Sequence, residues 1–533
     1  MKKALKMGKV SATGSFQLFI GKVLSTLILA AGTIIVGIFI LESDYGLYTI
    51  ALIPATTMLL FQDWGVGAAL TKYCANLRAA NKEDDLRKTI VAGLTFNVVT
   101  AIALMLLSVL TASFIASTIF SNPESAYLIA IASITILFTA LFIASQSIFI
   151  GFERMKLITI TTICQSTVQG LLSPLLVYLG YGALGAIVGY TVAYVTSGII
   201  AVTLLYFTIF RKLKPESINR AGILQNLKPM LNYGIPLAIA AILSGGLTQF
   251  CSFIMASSVD VAMIGNYKIA TNFAILLTFF VAPISTVLFP AFSKLDPQNE
   301  HQLLRTVFSS SVKYTALFLA PATLAMIVLA QPIISTIYAD KWLFAPLFLA
   351  LYVITSLFPI LGTLSMVNLL YALGETRMLL KLNILTFCIG VPLAFLLIPT
   401  LEIVGVILCI IVAGIPSTFI GLRWLWKRYG TKADFGSSAK IFFASSIAAV
   451  ITYLFLNILN AAAWITLTAG VIIFLAIYLI AAPLIGAINQ TDINNLRSMF
   501  SSLGIISKLL EIPLTLMEKP LKINLHRAET RNQ

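Results

Sequence analysis

Residues 265–270 read Gly-Asn-Tyr-Lys-Ile-Ala and residues 46–51 read Gly-Leu-Tyr-Thr-Ile-Ala, so the pattern G-x-Y-x-I-A occurs twice, 219 residues apart. A second pattern, G-x-x-R-M, occurs at 151–155 and again at 374–378, an offset of 223 residues. Two matches in the same order and at nearly the same offset indicate an internal duplication. The duplication predicts that the protein is built from two similar halves. The copies differ at one position, because the second carries Lys268 where the first has a threonine.

The composition is that of a membrane protein. Hydrophobic residues make up 59% of the 533 residues and charged residues only 10%, whereas soluble chains carry about 25% charged residues. An apolar run of about 20 residues spans a bilayer as a helix, since lipid offers the backbone no other hydrogen-bond partner. We therefore predict an all-α polytopic membrane protein with about 14 transmembrane helices, at 15–41, 46–68, 89–119, 126–150, 157–180, 183–208, 232–258, 262–290, 307–336, 343–372, 378–399, 403–426, 440–459 and 463–488.

The lysines and arginines predict the orientation of these helices. If the N-terminus is cytoplasmic, all but three of the 35 basic residues fall in the two tails, in the alternate, cytoplasmic connections or at the cytoplasmic ends of the adjoining helices. The exceptions are Lys22, Lys268 and Lys341. We expect a multi-pass protein of the cytoplasmic membrane with both termini inside. The net charge of +15 then reflects topology and attraction to membrane lipids, and not nucleic-acid binding.

The duplication predicts four parts. They are an N-terminal six-helix lobe (1–210), a C-terminal six-helix lobe (211–428), an appended helix pair (429–488) and a cytoplasmic tail (489–533). Both lobes begin inside, so a pseudo-two-fold axis along the membrane normal relates them, and parallel repeats of this kind place the substrate path between the lobes. Apolar residues at helical spacing in the tail indicate a helix that lies on the membrane surface or binds a partner: Leu496, Met499, Phe500, Leu503, Ile506 and Leu510.

Four segments carry a family resemblance: 42–48, 63–73, 265–268 and 371–377. On these residues the chain resembles the multidrug/oligosaccharidyl-lipid/polysaccharide (MOP) exporter superfamily, in its polysaccharide branch of O-antigen-type flippases. The resemblance implies a bundle of twelve helices plus two. Such proteins move polyprenyl- or dolichyl-(pyro)phosphate-linked saccharides across the membrane by alternating access. A scaffold role beside glycosyltransferases or a polymerase is left open.

Two lysines are candidate substrate-binding residues, because a lysine that faces lipid at a helix centre costs about 2.5–3.5 kcal/mol and a hydrated cavity removes most of that cost. Relatives that flip lipid-linked peptidoglycan precursors carry basic residues in the first and eighth helices, and Lys22 and Lys268 occupy similar places. Such cations would bind a lipid-linked phosphate as point charges. The alternative is snorkelling to the interface or, for Lys268, an ion pair with Asp260.

Three polar residues complete the predicted site. Gln249 and Asn272 are expected to line the cavity and meet sugar hydroxyls, although interhelical hydrogen bonds are the alternative. Asp63 is a weaker candidate for ion coupling, since it could equally cap or anchor a helix end.

Other functions are disfavoured. The five cysteines show no paired spacing, so neither a metal site nor a disulfide framework is expected. No acid/base pair, large external loop or nucleotide-binding glycine loop is present, which disfavours an enzyme and predicts no cofactor. The alternative function is a multidrug or small-molecule, cation-coupled exporter of the same superfamily. Its helices would carry deep acidic residues, whereas the deep charges here are lysines.

Overall fold

A computed structural model describes residues 2–213, 220–296, 299–459, 461–500, 511–519 and 521. All regular elements in these ranges are helices, and a last helix covers 511–519. The other α-helices, in chain order, are α1 (Lys2–Phe39), α2 (Glu42–Leu60), α3 (Val66–Ala79), α4 (Glu83–Phe114), α5 (Ser125–Gly151), α6 (Met155–Leu176), α7 (Gly182–Thr208), α8 (Arg220–Ser258), α9 (Val261–Ala274), α10 (Thr278–Ser293), α11 (His301–Val328), α12 (Ala330–Tyr338), α13 (Ala345–Tyr352), α14 (Thr363–Ala372), α15 (Thr376–Tyr429), α16 (Phe435–Ile458), α17 (Ala463–Leu484) and α18 (Gln490–Phe500).

Many of these helices are long and apolar enough to cross a membrane. Among the described residues, nine helices are long and apolar enough to span a membrane. The number is ten if the bent pair Ala345–Leu361 and Thr363–Ala372 counts as one span. Helix α15 contains two of the predicted spans, because its backbone turns at Glu402 (φ 52°, ψ −128°). The 19-residue α2 is not among the nine, since it begins with Glu42 and Asp44. The all-α, multi-pass architecture is confirmed, and the count of fourteen stays a prediction.

The chain forms two compact units, of which the first comprises residues 1–268 and 387–409. Within it α5 packs against α2, α3, α4 and α7. Side chains such as Leu70 of α3, Ile90 of α4 and Phe149 of α5 are fully buried there. Where α1 meets α6, a Cβ on Gly32 would lie 2.5 Å from the Cα of Gly170. Small residues at such contacts let membrane helices approach closely and gain van der Waals energy.

The second unit comprises residues 269–386 and 410–533. Its core joins α10, α11, α14 and α15 through buried side chains that include Phe292, Phe308, Leu369 and Leu425. The pair α16 and α17 pack on each other, and α16 also packs on α11. The predicted amphipathic tail begins here with α18. Of its apolar stripe, Leu496 is only 3% exposed and packs on the protein itself. Leu503, Ile506 and Leu510 lie outside the described residues.

Candidate functional site

The two copies of G-x-Y-x-I-A contact each other where α2 and α9 begin, inside the first unit. Gly46 and Gly265 are each the fifth residue of their helix. A Cβ on Gly46 would clash with the carbonyl oxygen of Val261, the first residue of α9. A Cβ on Gly265 would clash with the carbonyl oxygen of Glu42, the first residue of α2. Only glycine permits such an approach of backbone to backbone, so the duplicated pattern marks a symmetric helix contact.

One side-chain hydrogen bond spans this contact. Asn266 Nδ2 donates to Glu42 Oε2 at 2.8 Å and also to the carbonyl oxygen of Ala262 at 3.1 Å. Asn266 is only 1% exposed. The Glu42 carboxylate lies in the first turn of α2, where the positive end of the helix dipole favours a negative charge. We name Glu42, Gly46, Gly265 and Asn266 the α2–α9 clasp.

The predicted lysines lie in the first unit. Lys268 follows Asn266 by two residues on α9, and its side chain is half-buried. Lys22 lies on α1 near the start of a membrane-spanning segment, and its side chain is exposed. The neighbouring residue Gly21 contacts Thr159 of α6, so the face of α1 that packs on α6 includes Gly21. The Lys22 side chain lies outside this contact.

The two predicted polar residues fall in different units. Gln249 is half-buried in the first unit, and its Oε1 lies 3.4 Å from Thr56 Oγ1 and 3.3 Å from Thr57 Oγ1. Both hydroxyls also donate to backbone carbonyls of α2, Thr57 to Ile53 at 2.8 Å, so their contacts with Gln249 are secondary. This geometry favours an interhelical role for Gln249. Asn272 is half-buried and belongs to the second unit.

Asp63 lies in the turn between α2 and α3. Its Oδ1 accepts a hydrogen bond of 2.8 Å from the backbone N–H of Gly67, in the first turn of α3. Trp64 and Gly65 that follow it have positive φ, and a Cβ on Gly65 would clash with the backbone of Gly234 on α8. This geometry favours the capping interpretation of Asp63, and ion coupling stays a prediction.

A cluster of tyrosines in the first unit was not predicted from the sequence. The rings of Tyr45 and Tyr48 stack at 5.7 Å, and Tyr190 meets Tyr48 edge-on at 6.4 Å. Tyr45, Tyr48, Gln169 and Ser173 are among the residues that line a cavity of about 20 Å³. This volume is enough for one water molecule. The one sequence feature that could have indicated this cluster is Tyr48, the tyrosine of the first G-x-Y-x-I-A copy.

The family described as "Polysaccharide biosynthesis protein" matches residues 35–346, which is more than half of the chain and includes both halves of the clasp. The chain belongs to this family. The resemblance drawn from the four sequence segments is confirmed.

Individual relatives match over shorter stretches. The lipopolysaccharide biosynthesis protein WzxC of Escherichia coli K12 is 28% identical over 231 residues, 42% of each chain. The probable low-salt glycan biosynthesis flippase Agl15 of Haloferax volcanii is 20% identical over 280 residues, 51% of this chain and 57% of that one. The chain thus matches only about half the length of these curated relatives.

Solved structures match over most of the chain. The lipid II flippase MurJ in an inward closed conformation has a TM-score of 0.71 at 17% identity, covering 88% of this chain and 98% of that one. An inward-facing multidrug resistance MATE transporter of the MOP superfamily has a TM-score of 0.63 at 16% identity, covering 76% and 94%. These likenesses show that the chain has the fold of MOP superfamily transporters.

Proposed function

We propose that this protein is a flippase that moves lipid-linked oligosaccharide or polysaccharide precursors across the cytoplasmic membrane. Membership of a polysaccharide biosynthesis family and the transporter fold support this function. The relatives named above are a lipopolysaccharide biosynthesis protein and a probable glycan flippase. The structural observation that carries the proposal is the α2–α9 clasp, because it joins the two copies of a duplicated pattern by a contact that can open.

The clasp is suited to reversible opening. Its two helices meet at glycines, and a hydrogen bond from Asn266 to the Glu42 carboxylate joins them. Breaking this hydrogen bond to a half-buried carboxylate costs about 1 kcal/mol, and transport requires two states that differ by only a few kcal/mol. In this proposal the clasp lies at the outer face, both termini are cytoplasmic, and the predicted lobes 1–210 and 211–428 part when the clasp opens.

The cargo in this proposal is a saccharide linked to a polyprenyl or dolichyl carrier through phosphate or pyrophosphate. Lys22 and Lys268 would attract the phosphate, and polar residues such as Asn272 would meet the sugar. A glycosyltransferase or polymerase that makes or consumes the cargo is the expected partner class. The second candidate function is a small-molecule exporter, which the fold likeness to a MATE transporter favours.

Reconstitution tests the proposal. Proteoliposomes with a fluorescent polyprenyl-pyrophosphate-linked sugar are compared for wild type, Lys22→Ala, Lys268→Ala and the control Lys440→Ala, which removes an exposed lysine from α16. Loss of a charge-assisted contact of about 1.5–3 kcal/mol lowers translocation roughly 10- to 100-fold, and the control should translocate like wild type. Equal rates in all four proteins would remove the lysines from the site. Failure of the wild type with every lipid-linked sugar would favour the exporter.

A further inference from the structure

The second unit holds a charged contact that the proposed transport does not use. Lys313 of α11 and Asp492 of α18 form an ion pair, with Nζ and Oδ2 2.6 Å apart. Their side chains are only 15% and 9% exposed. Asp492 Oδ2 also accepts a hydrogen bond of 2.9 Å from the backbone N–H of Asn489. The contact joins residues 179 positions apart, so it fixes the start of the C-terminal tail to a membrane-spanning helix.

Beside this ion pair lies an apolar cavity of about 280 Å³. Its walls include Pro321 of α11, Phe474 and Tyr478 of α17, and Leu514 and Met517 of the helix 511–519. The hydroxyl of Tyr478 donates a hydrogen bond of 3.0 Å to the carbonyl oxygen of Leu317, and the lining has little other polar surface. The lining is therefore almost entirely hydrocarbon.

The ion pair stands at the rim of the cavity. Leu317 and Leu496 both line the cavity, and they follow Lys313 and Asp492 by four residues on α11 and α18 respectively. Residues four apart lie on one helix face, one turn from each other. The tail thus places a carboxylate against α11 with apolar side chains next to it. An anionic lipid has the same arrangement, a negatively charged headgroup next to an acyl chain.

We propose that this is a binding site for an anionic phospholipid, with one acyl chain in the cavity and the phosphate on Lys313 in place of the Asp492 carboxylate. Protein interiors leave few voids larger than a water molecule, and an apolar cavity of about 150 Å³ already takes up benzene. A lysine binds phosphate as a point charge. Asp492 follows the end of α17 by eight residues, and in this proposal the ion pair lies at the depth of lipid headgroups.

In this proposal the tail supplies part of the cavity wall, and its Asp492 competes with lipid for Lys313. Arg497 of α18 binds Glu518 at 3.1 Å and Glu511 at 3.2 Å, so α18 and the helix 511–519 are tied together. The hydrogen bond to Glu518 raises the pKa of the Arg497 guanidinium above its ordinary value. Competition between Asp492 and a lipid phosphate for Lys313 decides whether the start of α18 stays bound to α11.

Native mass spectrometry of the full chain with phosphatidylglycerol and phosphatidylcholine tests this site. Asp492→Asn leaves Lys313 to the lipid and should raise retention of phosphatidylglycerol several-fold. Lys313→Gln should lower it roughly tenfold, to the level of phosphatidylcholine, whereas Lys313→Arg should keep it. Ala325→Phe, which fills the cavity, should lower retention of both lipids. Lys440→Gln is the matched control, since it removes an exposed lysine outside the cavity lining.

Two results would overturn the site. One is equal phosphatidylglycerol retention in Lys313→Gln and Lys440→Gln, with both proteins folded by thermal unfolding. The other is retention of polyprenyl phosphate without phosphatidylglycerol, which would assign the cavity to the carrier lipid. Neither measurement depends on transport, so the site and the proposed flippase function fail independently.

Discussion

Replacement of Gly46 by alanine is expected to weaken the α2–α9 clasp. The added Cβ would meet the carbonyl oxygen of Val261, which is backbone and cannot rotate away. Overpacking of this kind costs about 1–3 kcal/mol. Separation of the helices also stretches the hydrogen bond from Asn266 to Glu42, whose loss adds about 1 kcal/mol at a half-buried carboxylate. We therefore expect the closed arrangement to lose about 2–4 kcal/mol.

Thermal unfolding in one detergent measures this loss against a matched control. A Cβ on Gly246 of α8 would lie 3.4 Å from the ring of Phe387, an ordinary contact, and alanine is a better helix former than glycine by about 1 kcal/mol. Gly46→Ala should therefore lower the unfolding temperature, while Gly246→Ala should leave it unchanged or raise it. A Gly46→Ala protein as stable as Gly246→Ala would refute the close backbone contact on which the clasp rests.

Three further predictions follow from single contacts. Asp63→Ala should cost about 1 kcal/mol by uncapping α3, while Asp63→Asn, which keeps an acceptor, should retain both stability and transport. Cys251 and Cys409, whose sulfur atoms lie 3.7 Å apart, should form a disulfide on treatment with a membrane-permeant oxidant, as mass spectrometry of peptides would show. Lys313→Met alone should destabilise by about 3–5 kcal/mol because it strands a buried charge, while the double variant Lys313→Met/Asp492→Leu should cost much less.

Each of these predictions has a contrary outcome. Loss of transport in a stable Asp63→Asn protein would restore the ion-coupling interpretation. Persistently alkylatable Cys251 and Cys409 would place α8 and the segment 387–409 further apart than the structure does. If the losses of unfolding free energy in Lys313→Met and Asp492→Leu add up in the double variant, the two charges do not interact.

The helices could be predicted from sequence because apolar runs in lipid have one structural solution. The number of spans is harder to predict, since short helices and helices with polar ends are difficult to assign as spans. The predicted span 262–290, for example, is broken at 275–277, where the backbone tightens into a 3₁₀ turn between α9 and α10. The turn at Glu402 is equally hidden within a continuous apolar stretch.

The candidate site could be predicted only in part. The duplicated pattern identified Gly46 and Gly265, but a repeat does not reveal which helix faces a copy meets, so their mutual contact was not foreseen. The cysteines show no spacing signal, yet folding brings Cys251 and Cys409 together. The apolar stripe of the tail is compatible in sequence with contact to lipid or to protein. The burial of Leu496 depends on α11 and α17, which are distant in sequence.

Reversible cross-linking of the clasp would show whether transport requires α2 and α9 to separate. The five native cysteines are replaced by serine, and Glu42→Cys/Asn266→Cys is joined in proteoliposomes by a reducible bifunctional thiol reagent. The matched control, Ser108→Cys/Ser133→Cys, joins α4 to α5 where the native hydroxyl oxygens lie 2.7 Å apart. The account predicts that cross-linking across the clasp stops translocation of the lipid-linked saccharide and that reduction restores it, while the control keeps its rate. Equal translocation by the cross-linked and reduced clasp variant would contradict the account.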